Sequence, residues 1–125
     1  MPEHPHSVVV IDDDESMCQA LTRLLTASGF MVRSYFSAEA FLDDLGAPAA
    51  DSLVVDVGLP GLSGLELVSQ LRTRHTFSSA VTFMSAHDDR EISREALSLG
   101  CVAFLNKPFP GQTLIAALRL GRTLF

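Results

Sequence analysis

Three carboxylates, one lysine and one serine mark the places where this chain could do chemistry. Asp12 and Asp13 follow a short run of Val and Ile. Asp56 follows Leu-Val-Val, Ser85 follows a run ending in Phe-Met, and Lys107 follows Phe-Leu-Asn. Carboxylates crowded at one place repel one another unless a cation shares the site or one is protonated. An all-oxygen donor set points to a hard ion. A shallow, solvent-open site with few carboxylates favours Mg²⁺, which keeps several waters, over Ca²⁺. No His or Cys stands in zinc spacing beside these residues. Lys107 is the only lysine, the other eight cations being arginines; a compact ammonium on a flexible stem suits a phosphoryl oxygen. The Ser85 hydroxyl can donate one more hydrogen bond. Carboxylates, a divalent cation, an ammonium and a hydroxyl are the parts needed to transfer a phosphoryl group onto an aspartate.

These residues are useful only if the fold brings them together, and the pattern of elements predicts that it does. Short Val/Ile-rich or apolar runs at 7–11, 30–35, 53–55, 80–84 and 101–105 read as strands. Between them lie segments with helical periodicity: Met17, Leu21, Leu24 and Leu25 over 15–28; Ala38, Phe41, Leu42 and Leu45 after an N-cap at Ser37; and Leu67, Val68 and Leu71 after a Gly/Pro-rich loop. The last two helical faces are Ile92, Ala96 and Leu99, then Leu114, Ile115 and Leu118 in a helix running from about Pro110 to the end. Five strands alternating with five helices predict an α/β domain with a doubly wound parallel sheet of order 2-1-3-4-5, flavodoxin-like. In such a sheet the site lies beyond the carboxyl ends of the strands, where the winding reverses. Asp12, Asp13, Asp56, Ser85 and Lys107 all fall on that rim, from four strands.

Taken singly, each residue has a plainer reading. An Asp after a strand commonly caps a helix or makes a turn, and Asp14 and Glu15 are assigned that role, as negative charge at the start of the first helix. The joint occurrence at four strand ends favours a site.

The remaining features set bounds. The 125 residues fit one domain. The longest apolar runs, 114–118 and 101–105, are five residues each, against about 20 for a spanning helix. The start lacks the basic and apolar regions of a signal peptide. A net charge of −6 opposes direct binding to nucleic acid or an anionic membrane. Cys18 and Cys101 read as reduced core residues, and Met17, Met31 and Met84 as core filler. His4 and His6 fall in a Pro-containing segment, and residues 1–6 are expected to be a disordered tail before a domain at 7–125. These bounds predict a soluble, cytoplasmic, single-domain protein.

Four stretches then bear a resemblance: Val-Ile-Asp-Asp-Asp at 10–14, Leu-Val-Val-Asp-Val-Gly-Leu-Pro-Gly-Leu-Ser-Gly-Leu-Glu at 53–66, Phe-Met-Ser-Ala-His at 83–87 and Phe-Leu-Asn-Lys-Pro-Phe at 104–109. In this order and at these separations, the chain resembles the receiver domain of two-component response regulators, FixJ-type, over about residues 7–122. The resemblance implies that Asp56 accepts a phosphoryl group from a sensor histidine kinase or phosphotransfer protein. It implies that Asp12, Asp13, Asp56 and the carbonyl of Gly58 bind Mg²⁺, that Lys107 and Ser85 contact the phosphoryl group, and that Phe104 turns inward on activation. Lys107–Pro108 is expected to be cis, and no output domain is seen within this sequence. Gly58 and Asn106 depart from residues common in the family, which bears on how fast the phosphoryl group is lost to water. His87, close after Ser85, is a candidate gate for that water, whereas His75 reads as a helix-end residue.

The expected role is therefore a switch rather than a turnover enzyme. Its output would be homodimerisation or partner docking through helix four, strand five and helix five, where Leu120, Leu124 and Phe125 extend beyond the inner face, in the service of transcription regulation. The alternative is a haloacid-dehalogenase-type phosphohydrolase with Asp12 as nucleophile, which would leave Asp56 and the Pro60–Gly64 loop without a role.

Overall fold

The computed structural model describes residues 4–124, with side chains to residue 122. The elements alternate without exception: β1 (Ser7–Ile11), α1 (Glu15–Ala27), β2 (Met31–Tyr35), α2 (Ala38–Leu42), β3 (Ser52–Asp56), α3 (Gly64–Arg72), β4 (Ala80–Ser85), α4 (Arg90–Ser98), β5 (Ala103–Asn106) and α5 (Gly111–Leu124). All pairings are parallel, in the order β2-β1-β3-β4-β5.

Strand residues alternate between two cores because successive side chains point to opposite faces of a sheet. Val9 and Ile11 of β1, Leu53 and Val55 of β3, and Val81 and Phe83 of β4 pack with Leu67, Val68 and Leu71 of α3 and Ala96 of α4. Val8, Val10, Val54 and Met84 face the other way, onto Cys18, Leu21 and Leu25 of α1 and Leu114, Ile115 and Leu118 of α5. Both faces of the central strands are thus apolar, which is why they read as continuous Val/Ile runs.

The caps orient the helices over the rim. Asp14 caps α1 by accepting from Met17 N, and Asp89 caps α4. Ser37 caps α2, and Ser63 with Glu66 forms a capping box on α3. Gly64 has a separate role, since a Cβ there would overlap the backbone carbonyl of Asp56.

Several expectations need correction. The second helix ends at Leu42, not Leu45, and Leu45 is exposed. Asp44 instead accepts a 2.6 Å hydrogen bond from the Tyr35 hydroxyl, which draws the chain towards β2. Met31 is not core: it is 58% exposed, on an edge strand whose neighbour α2 is too short to cover it. The fifth strand starts at Ala103, two residues late, because Gly100 closes α4 with φ +83° and residues 101–102 carry the chain to the sheet. His6, expected in a disordered tail, is 5% exposed, edge-on to Phe30 at 5.0 Å and bonded through Nε2 to Ser52 Oγ at 2.7 Å. Cys18 is buried, Cys101 half-buried, and both are free. Among the described residues no helix is long and apolar enough to cross a membrane.

Candidate functional site

β1 and β3 are neighbours, and their carboxyl ends place Asp12 beside Asp56. One oxygen from each of Asp12, Asp13 and Asp56 lies within 4.8 Å of the others. An octahedral ion with Mg–O distances of about 2.1 Å separates its ligands by about 3–4 Å, so the three carboxylates stand near the spacing Mg²⁺ requires. Lys107, from the end of β5, reaches across to the same place. Its Nζ donates to Asp12 Oδ2 at 2.8 Å and lies 3.6 Å from Asp56 Oδ2. Three carboxylates against one ammonium leave two negative charges, which a divalent cation would neutralise. The donor set therefore fits Mg²⁺.

The two inner carboxylates are not equivalent. Asp12 is completely buried, and its oxygens are engaged by Asp14 N at 2.9 Å and by Lys107. Asp56 is 7% exposed; its Oδ1 accepts a longer bond from Gly58 N at 3.3 Å, and among the described residues its Oδ2 has the 3.6 Å ion pair with Lys107. Burial pushes the Asp56 carboxyl above its usual range, with the Asp12 charge acting in the same sense, while Lys107 and the Gly58 amide pull it back. Burial lowers the Lys107 pKa, but the hydrogen bond to Asp12 and the charge of Asp56 more than offset this, so the ammonium is held above its ordinary value.

The structure thus brings together Asp12, Asp13, Asp56, Lys107 and the Gly58 amide. Ser85 is at the end of β4 and fully buried, but its hydroxyl is turned into its own loop. It donates to the His87 carbonyl at 2.9 Å and accepts from His87 N at 3.1 Å. Phe104 belongs to the sheet rather than to the acidic cluster. It is half-buried on the core formed with α3 and α4, and it pairs in register with Phe83, on the same face as Ser85. Lys107–Pro108 is cis, as expected.

Asp14 and Glu15 serve α1, as the sequence suggests. One residue near the site escaped the sequence reading. Glu39 of α2 accepts from Leu62 N at 2.8 Å, within the loop that carries Gly58. In the sequence it reads only as a helix-start charge, because the contact spans 23 residues.

Comparison with known proteins agrees with this geometry. Residues 8–119 match the response regulator receiver domain family. The transcriptional regulatory protein FixJ of Azorhizobium caulinodans is 44% identical over 119 residues, 93% of this chain and 56% of that protein. FixJ of Bradyrhizobium diazoefficiens is 38% identical over 111 residues, 89% of this chain and 54% of that protein. The chain therefore spans about half the length of these curated relatives. The crystal structure of FixJ-N superposes with a TM-score of 0.88 at 30% identity, covering 98% of each chain. The phosphohydrolase alternative finds no support, and its nucleophile, Asp12, is the carboxylate whose oxygens are already engaged. The chain belongs to the response regulator receiver domain family, the signalling switches of two-component systems, and within it is FixJ-like.

Proposed function

We propose that Asp56 is the phosphoacceptor, that Asp12, Asp13, Asp56 and the Gly58 carbonyl hold Mg²⁺, and that Lys107 and Ser85 take up the phosphoryl oxygens. The observation that carries this reading is the inequality of the two inner carboxylates. Asp12 is locked by two short hydrogen bonds, whereas Asp56 keeps longer, weaker contacts and some exposure. An Asp56 oxygen forms the new bond to phosphorus as the donor's N–P bond breaks, and the donor nitrogen leaves with the electron pair. Bound Mg²⁺ would supply positive charge between the carboxylates and the phosphoryl oxygens. Lys107, already 3.6 Å from Asp56 Oδ2, needs only a small swing to donate to the added group. Ser85 must give up its bond to the His87 carbonyl to do the same.

The donor is a sensor histidine kinase or phosphotransfer protein. The domain acts as a cytoplasmic switch that promotes only its own phosphorylation and dephosphorylation. When Ser85 moves, Phe104 on the same sheet face turns inward, and the surface of α4, β5 and α5 changes. Leu97 on α4 and Leu120 on α5 are exposed there; Leu124 and Phe125 lie outside the residues with described side chains. That face would then mediate homodimerisation or partner docking. Regulation of transcription would follow through another part of the whole protein, as the names of its relatives suggest, with no direct contact between this acidic domain and nucleic acid.

Labelling with acetyl phosphate tests the reading. Phosphorylation should require Mg²⁺ and stop in the presence of a chelator; equal labelling in both conditions contradicts it. Sedimentation with and without beryllofluoride tests the output, which predicts tighter association with the mimic.

A further inference from the structure

We propose that Glu39 is a positioning residue that clamps the β3–α3 loop, and through it orients Gly58 and Asp56 for the metal site. This deepens the Mg²⁺ reading above and rests on it.

The loop from Val57 to Ser63 is secured at its ends. Val57 N donates to Met84 O at 2.9 Å, Gly64 N reaches back to Val57 O at 3.3 Å, and the Ser63–Glu66 capping box starts α3. Between those points the backbone has little to hold it. Gly58 N bonds to the neighbouring Asp56 side chain, Pro60 has no N–H, and Gly61 turns with φ +73°. Leu59 is buried and anchors the loop by packing, but apolar burial does not fix the orientation of the peptide groups around it. Among the described residues, the hydrogen bond that ties these central residues to a distant element is Leu62 N to Glu39 Oε2.

The fit between loop and carboxylate is close. A Cβ on Gly61 would come within 2.6 Å of Glu39 Oε2, so the turn lies directly against the Glu39 head. The Leu62 amide also holds the Glu39 carboxyl below its usual range. Glu39 stands in the first turn of α2, where its carboxylate interacts with its own backbone amide and also reaches across the gap to a different segment. A shift of the loop would move the Gly58 carbonyl proposed as a metal ligand. It would also move the Gly58 amide that orients Asp56 Oδ1. Groups that orient ligands from the next layer change metal affinity without touching the ion.

The test compares Glu39→Ala, which removes the acceptor, with Glu39→Gln, which keeps an amide oxygen and removes the charge. Mg²⁺ titration of the full chain, followed by amide signals at 56–63, should show about 10-fold weaker binding for Glu39→Ala and about 2-fold or less for Glu39→Gln. Exchange of the Leu62 amide should be faster in Glu39→Ala alone. Unchanged Mg²⁺ affinity in Glu39→Ala, or an equal loss in both variants, overturns the clamp while leaving the metal reading standing. A wild-type protein that binds no Mg²⁺ overturns the metal reading and the clamp's role in it together. If Glu39→Ala does not fold, the wild-type Leu62 amide signal decides the matter: it should titrate below the usual glutamate range as Glu39 protonates, and a signal that does not respond overturns the contact.

Discussion

The two ends of the sheet treat buried polar groups in opposite ways. At the amino ends of the strands the groups satisfy one another. The buried His6 pairs with Ser52, and the half-buried Asp51 carboxylate accepts from both the backbone and hydroxyl of Ser7. At the carboxyl ends, Asp12, Asp13 and Asp56 converge with one ammonium among them. Each carboxylate can accept about four hydrogen bonds, far more than this rim supplies. The first arrangement is closed and holds the fold together. The second is left with negative charge and acceptor capacity, which is what suits it to the ion and the phosphoryl transfer proposed for it. Buried polarity alone therefore does not distinguish a site; the balance of charge and partners does.

The largest effect is expected at Asp56. Asp56→Asn keeps the volume and removes the proposed nucleophile, so phosphorylation by small donors should fall to background while the far-UV spectrum is unchanged; wild-type labelling refutes the assignment. Next in size is Lys107→Ala. It leaves the buried Asp12 charge without its ammonium, so stability without Mg²⁺ should fall by about 3 kcal/mol. Mg²⁺ should bind as tightly as in wild type or more so, because a competing positive charge is gone, yet the phosphorylated variant should fail to switch. Weaker Mg²⁺ binding would show that Lys107 builds the site rather than competes for it.

A smaller effect separates Asp13 from its neighbour. Asp13→Ala should weaken Mg²⁺ binding. Asp14→Ala should leave binding nearly unchanged and cost about 1 kcal/mol of stability, as loss of a helix cap does. Equal losses of affinity would contradict this division of roles.

The smallest effect belongs to the closed rim. Burial lowers the His6 pKa, with Arg122 and His4 acting in the same sense and Asp51 opposing. A histidine depressed in the folded state favours the neutral form. The stability it contributes is complete above its unfolded pKa of about 6.5 and is lost as pH falls below that towards the folded value. Denaturant unfolding of wild type should therefore show a decline in stability below about pH 6.5 that His6→Asn lacks. Identical pH profiles would show that His6 charges as easily folded as unfolded.

How much of this was legible in the sequence follows the range of the interactions. The central strands were readable because both faces are buried and leave Val/Ile runs. The candidate site residues were readable because each ends a strand or follows it within two residues, so the topology alone carries them to one rim. The edge elements were harder. Met31 has strand composition but lies beyond the cover of α2, and Leu45 fits a helical period that the Tyr35–Asp44 hydrogen bond interrupts. His6 and Glu39 were out of reach for a different reason. Their partners, Ser52 and Leu62, lie 46 and 23 residues away, and no local pattern records a contact across that separation. Ser85 was placed correctly, but the direction of its hydroxyl depends on the turn at His87, which composition does not specify.

The proposed reaction places the acyl phosphate on Asp56 and not on Asp12, and its position can be located directly. The protein should be treated with acetyl phosphate and Mg²⁺, the acyl phosphate reduced with borohydride, and the modified position located by peptide mass spectrometry. Modification is expected at Asp56 and not at Asp12. Modification at Asp12, or at both in equal amount, would contradict it.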